Sequence, residues 1–194
     1  IYKYEAQIAV CKNSTFNKNA IVNKKIVEKE TSEQCFDAVE ATRNMLYQKG
    51  FDVAAWGKMY HKDTLQGISF PDGLIHEDIP ELYCYQIREA SIENQKFTIK
   101  KMDCIKTAQM MLDDIKANHP ELLKAARSRY VAANFHILAQ INDNIPEKRL
   151  IINNIKRMRG LVLRDKLASI RVRGACLLSF VSFDLTIFIL NLKK

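Results

Sequence analysis

An α-rich α/β fold is predicted by two features of the chain. Short runs of β-branched residues occupy its first third, and from Lys96 onward apolar residues recur at spacings of three and four. The change of period divides the sequence into a mixed portion over residues 1–95, a helical hairpin over 96–145, and basic and apolar C-terminal helices over 146–194. With 47% hydrophobic residues in 194, the chain can bury a core, and its length suits one domain with an appendage.

Gln7 to Cys11 and Ile21 to Val27 read as strands on either side of a polar link. A helix is expected next. Thr31-Ser32-Glu33-Gln34 offers an N-cap and a capping-box glutamine, Phe36, Val39, Met45 and Leu46 fall near one face, and Gly50 is a stop. Ala54 to Tyr60 reads as a core strand entering a short helix over Lys62 to Gln66, and Leu82 to Ile87 alternates as a strand does. Beyond Lys96, Ile99, Met102, Ile105, Ala108, Leu112 and Ile115 form one stripe, broken at Asn118-His119-Pro120. Leu123, Ala126, Tyr130, Ala133, Ile137 and Ile141 form the next, ended near Asn142 to Pro146. Such stripes pack a core.

The most informative segment is Phe51 to Pro80. It holds Ala55-Trp56-Gly57-Lys58-Met59-Tyr60, then Phe70-Pro71-Asp72-Gly73, then Glu77-Asp78, and is followed by Tyr83-Cys84-Tyr85-Gln86-Ile87-Arg88-Glu89-Ala90-Ser91-Ile92. Pro71-Asp72-Gly73 is turn chemistry: proline presets its own φ and glycine accepts positive φ, so the chain reverses just before the acids. Taken alone, an acid pair after a turn is solvated or caps a helix.

In this order the four blocks resemble the family 2 glycosyltransferases of the GT-A fold, in which "aWgKLY", "FPeG", "ED" and "YYYRxRxGSI" follow one another. The resemblance implies a partial GT-A-like sheet with flanking helices, followed by a C-terminal helical extension. It implies transfer of a sugar, with inversion, from a nucleotide-diphosphate donor to a glycan or lipid-linked acceptor. The family's base maps to Asp78, with Glu77 supporting it, and Trp56, Lys58, Tyr85, Arg88 and Ser91 fall in segments that line the substrates. Two readings of Arg88 remain, a diphosphate contact and an ordinary ion pair. Trp56 likewise packs or stacks.

The resemblance also implies a divalent cation, Mn²⁺ or Mg²⁺, held by an Asp-x-Asp motif to neutralise the leaving diphosphate. No Asp-x-Asp occurs in the sequence; Asp113-Asp114 is the nearest approach and sits in a helical pattern. Gln86 stands where the family has Arg, Ala90 where it has Gly, and the connection from Pro80 to Leu82 is short. The expectation is therefore a C-terminal, acceptor-side portion of a longer enzyme, incomplete and inactive as an isolated chain. The alternative is a non-catalytic, membrane-associated remnant or scaffold.

Charge is concentrated. From Lys148 to Arg173 nine basic residues face a single acid, Asp165, which accounts for the whole net charge of +8. Basic helices read as nucleic-acid or anionic-membrane surfaces. The apolar run from Gly174 to Leu192 favours the membrane, and no aromatic platform interleaves with the charges to favour nucleic acid. Read as one helix, the run gains about 5 kcal/mol from its Leu, Ile, Phe and Val residues and loses about 3 to Asp184 near its centre. It is thus expected to lie in the interface of an anionic membrane, with 148–192 as the contact, or to pack as a core helix. Five scattered cysteines without a C-x-x-C pair read as reduced thiols, and the four isolated histidines offer no metal spacing. Together these give a cytoplasmic protein, peripheral to the inner face of the cell membrane.

Overall fold

The computed structural model describes residues 5–10, 14–16, 34–50, 58–67, 84–86, 97–141 and 145–192. The chain is an α-rich α/β protein and divides into two units, one of residues 1–37 and 50–95 and one of 38–49 and 96–194.

The first unit carries short strands. β1 (Ile8–Val10) pairs antiparallel with β3 (Lys58–Tyr60), and β2 (Ser14–Phe16) pairs parallel with β4 (Cys84–Gln86). Three of these lie inside expected strands: β1 within Gln7 to Cys11, β3 at the end of Ala54 to Tyr60, and β4 within Leu82 to Ile87. A 3-10 turn at Lys62–Leu65 follows β3, as the sequence suggests. The expected strand over Ile21 to Val27 lies outside the described residues.

The second unit is helical. Its first helix, α1 (Ala38–Tyr47), begins later than the capping-box pattern suggests, for residues 34–37 are not helical and Phe36 and Val39 are exposed. It also ends by different means. Gln48 takes the left-handed φ of +57° in place of a glycine, the Lys49 amide donates to the Asn44 carbonyl at 2.8 Å, and the Gln48 amide donates to that of Met45 at 3.1 Å. This double closure satisfies carbonyls that a helix end leaves unpaired.

α2 (Asp103–Asn118) buries Ile105, Ala108, Leu112 and Ile115, the expected stripe, while Ile99 in the preceding 3-10 turn is exposed. His119, with φ of −140° and ψ of 58°, and Pro120 break the run where expected, because proline disfavours helical backbone in the residue before it. α3 (Leu123–Leu138) then runs through the centre of the unit. Ten of its sixteen residues are buried, and it packs against α1, α2, α4 and α5. Ala125, Ala126 and Ala133 keep its surface low, which lets neighbouring helices approach.

α4 (Pro146–Arg164) starts on a proline whose missing N–H costs nothing at that position. It lays Ile151, Ile155, Met158 and Val162, spaced by four and three, onto the core. Asn134, fully buried on α3, donates to the Tyr130 carbonyl at 2.8 Å and accepts from Asn154 of α4 at 3.2 Å. The corner after α4 is tied by Asp165, which accepts the Leu167 amide at 3.0 Å and the Tyr47 hydroxyl of α1 at 2.6 Å.

The C-terminal apolar run departs most from expectation. It is two helices, α5 (Ile170–Val181) and α6 (Phe183–Asn191), separated by Ser182 in extended backbone with φ of −157° and ψ of 135°. The Ser182 hydroxyl accepts the Leu185 amide at 3.3 Å, and its carbonyl accepts the Thr186 hydroxyl at 2.7 Å. A serine N-cap therefore restarts the helix, and among the described residues no helix is long and apolar enough to cross a membrane. Arg159 of α4 straps the break. Its guanidinium donates to the Ser179 carbonyl and stacks 3.8 Å from the Phe180 ring centroid and 5.7 Å from that of Phe183.

Two expectations follow. Leu138→Ala removes a fully buried side chain beside a close-packed helix and lowers unfolding free energy by roughly 2–5 kcal/mol in a denaturant titration; a loss below about 1 kcal/mol would place Leu138 outside the core. Burial and the Asp165 carboxylate hold the Tyr47 phenol above its ordinary 10.0. Unfolded chain loses this proton near pH 10 while folded chain keeps it, so Tyr47 stabilises the fold below that pH and the contribution is lost as pH rises beyond it. Tyr47→Phe is expected to flatten the alkaline fall in thermal midpoint, and an unchanged slope would contradict the assignment.

Candidate functional site

Lys58, the basic residue of the first resemblance block, sits half-buried on β3 opposite Val10. Tyr60 pairs with Ile8, and burial pushes its phenol above the ordinary tyrosine value. The pairing extends one step beyond the strand through the His61 amide, which donates to the Gln7 carbonyl at 2.7 Å. His61 then lies 3.4 Å from the exposed Asp63 carboxylate. Tyr85, in the fourth block, is on β4 opposite Thr15 of β2.

These pairings tie two blocks far apart in sequence to β1 and β2, which are consecutive in the chain. β1 ends at Val10, opposite Lys58, and β2 begins at Ser14, opposite Cys84. Residues 8–10 thus pair with the lysine block and residues 14–16 with the tyrosine block.

Trp56, Glu77, Asp78, Arg88 and Ser91 lie outside the described residues. The turn at Phe70 to Gly73 and His76 lie outside them too.

A divalent cation finds no match among the described residues, where no group of three or more His, Cys, Asp and Glu side chains converges. Asp113 and Asp114 are on the exposed face of α2, as their helical pattern suggests, and are engaged locally: Asp113 accepts from Gln109 at 2.9 Å and Asp114 from Asn118 at 2.8 Å. Cys35, Cys104 and Cys176 are free thiols. Cys176 is fully buried, which pushes its thiol up to about 12 and leaves it unreactive at neutral pH.

The helical unit has a shallow, open depression of about 320 Å³ lined by Ile141, Lys148, Asp184, Ile187, Phe188 and Asn191. One cation and one carboxylate on apolar walls offer no transfer chemistry. Sequence reasoning overlooked the Tyr47–Asp165 bond and the Arg159 strap, which join residues 118 and 20 positions apart and leave no local pattern. It also overlooked an exposed line on α5, which its spacing does encode: Ile170, Leu177 and Val181 are separated by seven and four. No protein-family model, no curated protein and no solved structure matches the chain.

Proposed function

We propose that the chain is the acceptor-side, C-terminal portion of an inverting family 2 glycosyltransferase that uses a nucleotide-diphosphate sugar and a glycan or lipid-linked acceptor. The observation that carries the reading is the order of the four blocks: the Trp56-Gly57-Lys58 segment, the Pro71-Asp72-Gly73 turn, the Glu77-Asp78 pair and the Tyr85 to Ser91 segment. The pairing of β1 with β3 and of β2 with β4 supports it, since both outer blocks are strand-borne and anchored to one stretch.

In this reading Asp78 accepts the proton of the acceptor hydroxyl as its oxygen attacks the anomeric carbon. The new glycosidic bond forms on the face opposite the breaking bond to the diphosphate, so the configuration inverts. Glu77 holds the carboxylate in place. Lys58 and Arg88 supply positive charge, and Trp56, Tyr85 and Ser91 supply packing and hydrogen bonds to sugar. The described residues do not fit the divalent cation of the complete family site, and no step is assigned to it.

A second reading has its own observation. The absence of Asp-x-Asp from the sequence favours a non-catalytic remnant or scaffold. The two separate in a transfer assay on the longest product of the reading frame that contains this chain, with a panel of nucleoside-diphosphate sugars and nucleotide release as the readout. Asp78→Asn is expected to lower turnover roughly 10²–10⁴-fold, the usual worth of a positioned base, while Asp63→Asn, at an exposed carboxylate of the same unit, leaves it unchanged. Turnover untouched by Asp78→Asn removes the transferase assignment, and no turnover with any donor selects the remnant.

A further inference from the structure

We infer that the α4–α5 corner and the outer line of α5 form a docking surface for an anionic lipid bilayer. Across residues 164–171, the exposed cations Arg164, Lys166 and Arg171 flank two exposed aliphatic residues, Leu167 at 50% and Ile170 at 86%. The apolar character continues along one face. Ile170, Leu177 and Val181 fall within a narrow arc at 100° per residue, with Gly174 between them, and are 86%, 58% and 80% exposed. The opposite face, Ala175, Cys176 and Ser179, is buried against the unit, so the exposed line has a fixed direction.

Charge selects the occupant. Asp165 is the one acid among the residues from Lys148 to Arg173, and its carboxylate is committed inward, one oxygen to the Tyr47 hydroxyl and the other to the Leu167 amide. Apart from Ser169, which caps α5 by accepting the Val172 amide, the exposed side chains at the corner are cationic or aliphatic, the combination that binds anionic headgroups while burying apolar groups at the acyl boundary. α5 is twelve residues, about 18 Å, so it lies on the bilayer and does not cross it. The exposed side of α6 is different. Its apolar Leu185 and Phe188 adjoin Asp184, which shares a depression with Lys148, so that side carries no surplus of positive charge to draw anionic headgroups. The contact therefore centres on 164–181 and leaves out α6. It stands independently of the transferase reading.

The test is co-sedimentation of the full chain with vesicles of phosphatidylcholine alone and of phosphatidylcholine with phosphatidylglycerol. Binding is expected only to the anionic vesicles and is expected to weaken with salt. Lys166→Gln with Arg171→Gln lowers the partition coefficient roughly 25-fold, about fivefold per charge. Ile170→Ser with Val181→Ser abolishes binding at physiological salt and leaves the circular dichroism spectrum and thermal midpoint unchanged, because both side chains are exposed. Equal binding to both vesicle types, survival of binding in both double variants, or no binding overturns the inference. A dimer dissolved by the Ile170 and Val181 substitutions would identify a second copy as the occupant. Duplex DNA binding lost in the charge variant, without vesicle binding, would identify nucleic acid.

Discussion

The helical unit depends on burying α3 from nearly every side. With Ala126, Val131 and Leu138 fully enclosed and only Lys124 and His136 of its sixteen residues exposed, α3 has little solvent face to set its orientation, so α1, α2, α4 and α5 must pack around it. Hydrophobic burial is non-directional and would tolerate many registers. Asn134 narrows them. Its buried amide is satisfied only when Asn154 of α4 lies opposite, and a slip of α4 along α3 leaves polar atoms unpaired in the core at a cost of about 1–3 kcal/mol each.

From that register the rest of the unit follows in steps. α4 held by Asn154 and Ile155 presents Arg159 at the junction of α5 and α6, where the guanidinium meets the Ser179 carbonyl and the rings of Phe180 and Phe183. The same helix ends at Asp165, which turns inward to Tyr47 and leaves the corner basic. A largely buried core helix thus determines, through α4, both where the C-terminal apolar run breaks and which charges reach the surface.

Legibility in the sequence tracks the range of the interaction. The α2 stripe, the break at His119-Pro120 and the start of α4 at Pro146 were readable because periodicity and proline act within a few residues. The end of α1 was not, because Gln48 adopts a left-handed conformation that glycine usually takes. The run from Gly174 to Leu192 looked like one helix because its hydropathy is continuous. Ser182 is a weak local signal, and the strap across it comes from Arg159, twenty positions before Ser179. For the candidate site the balance is reversed. Turn chemistry and block order make Glu77 and Asp78 candidates at the level of sequence, whereas the described structure bears on Lys58 and Tyr85 through strand pairing alone.

Amide hydrogen exchange across the full chain tests the role of α3 most directly, because exchange in a helix packed against four others requires global opening while peripheral helices open locally. The account predicts that residues 126–138 form the slowest-exchanging group and share one opening free energy with the buried face of α4 around Ile151 and Ile155. Exchange in α3 as fast as in α6 would contradict it, and would mean that the surrounding helices do not depend on α3 for their placement.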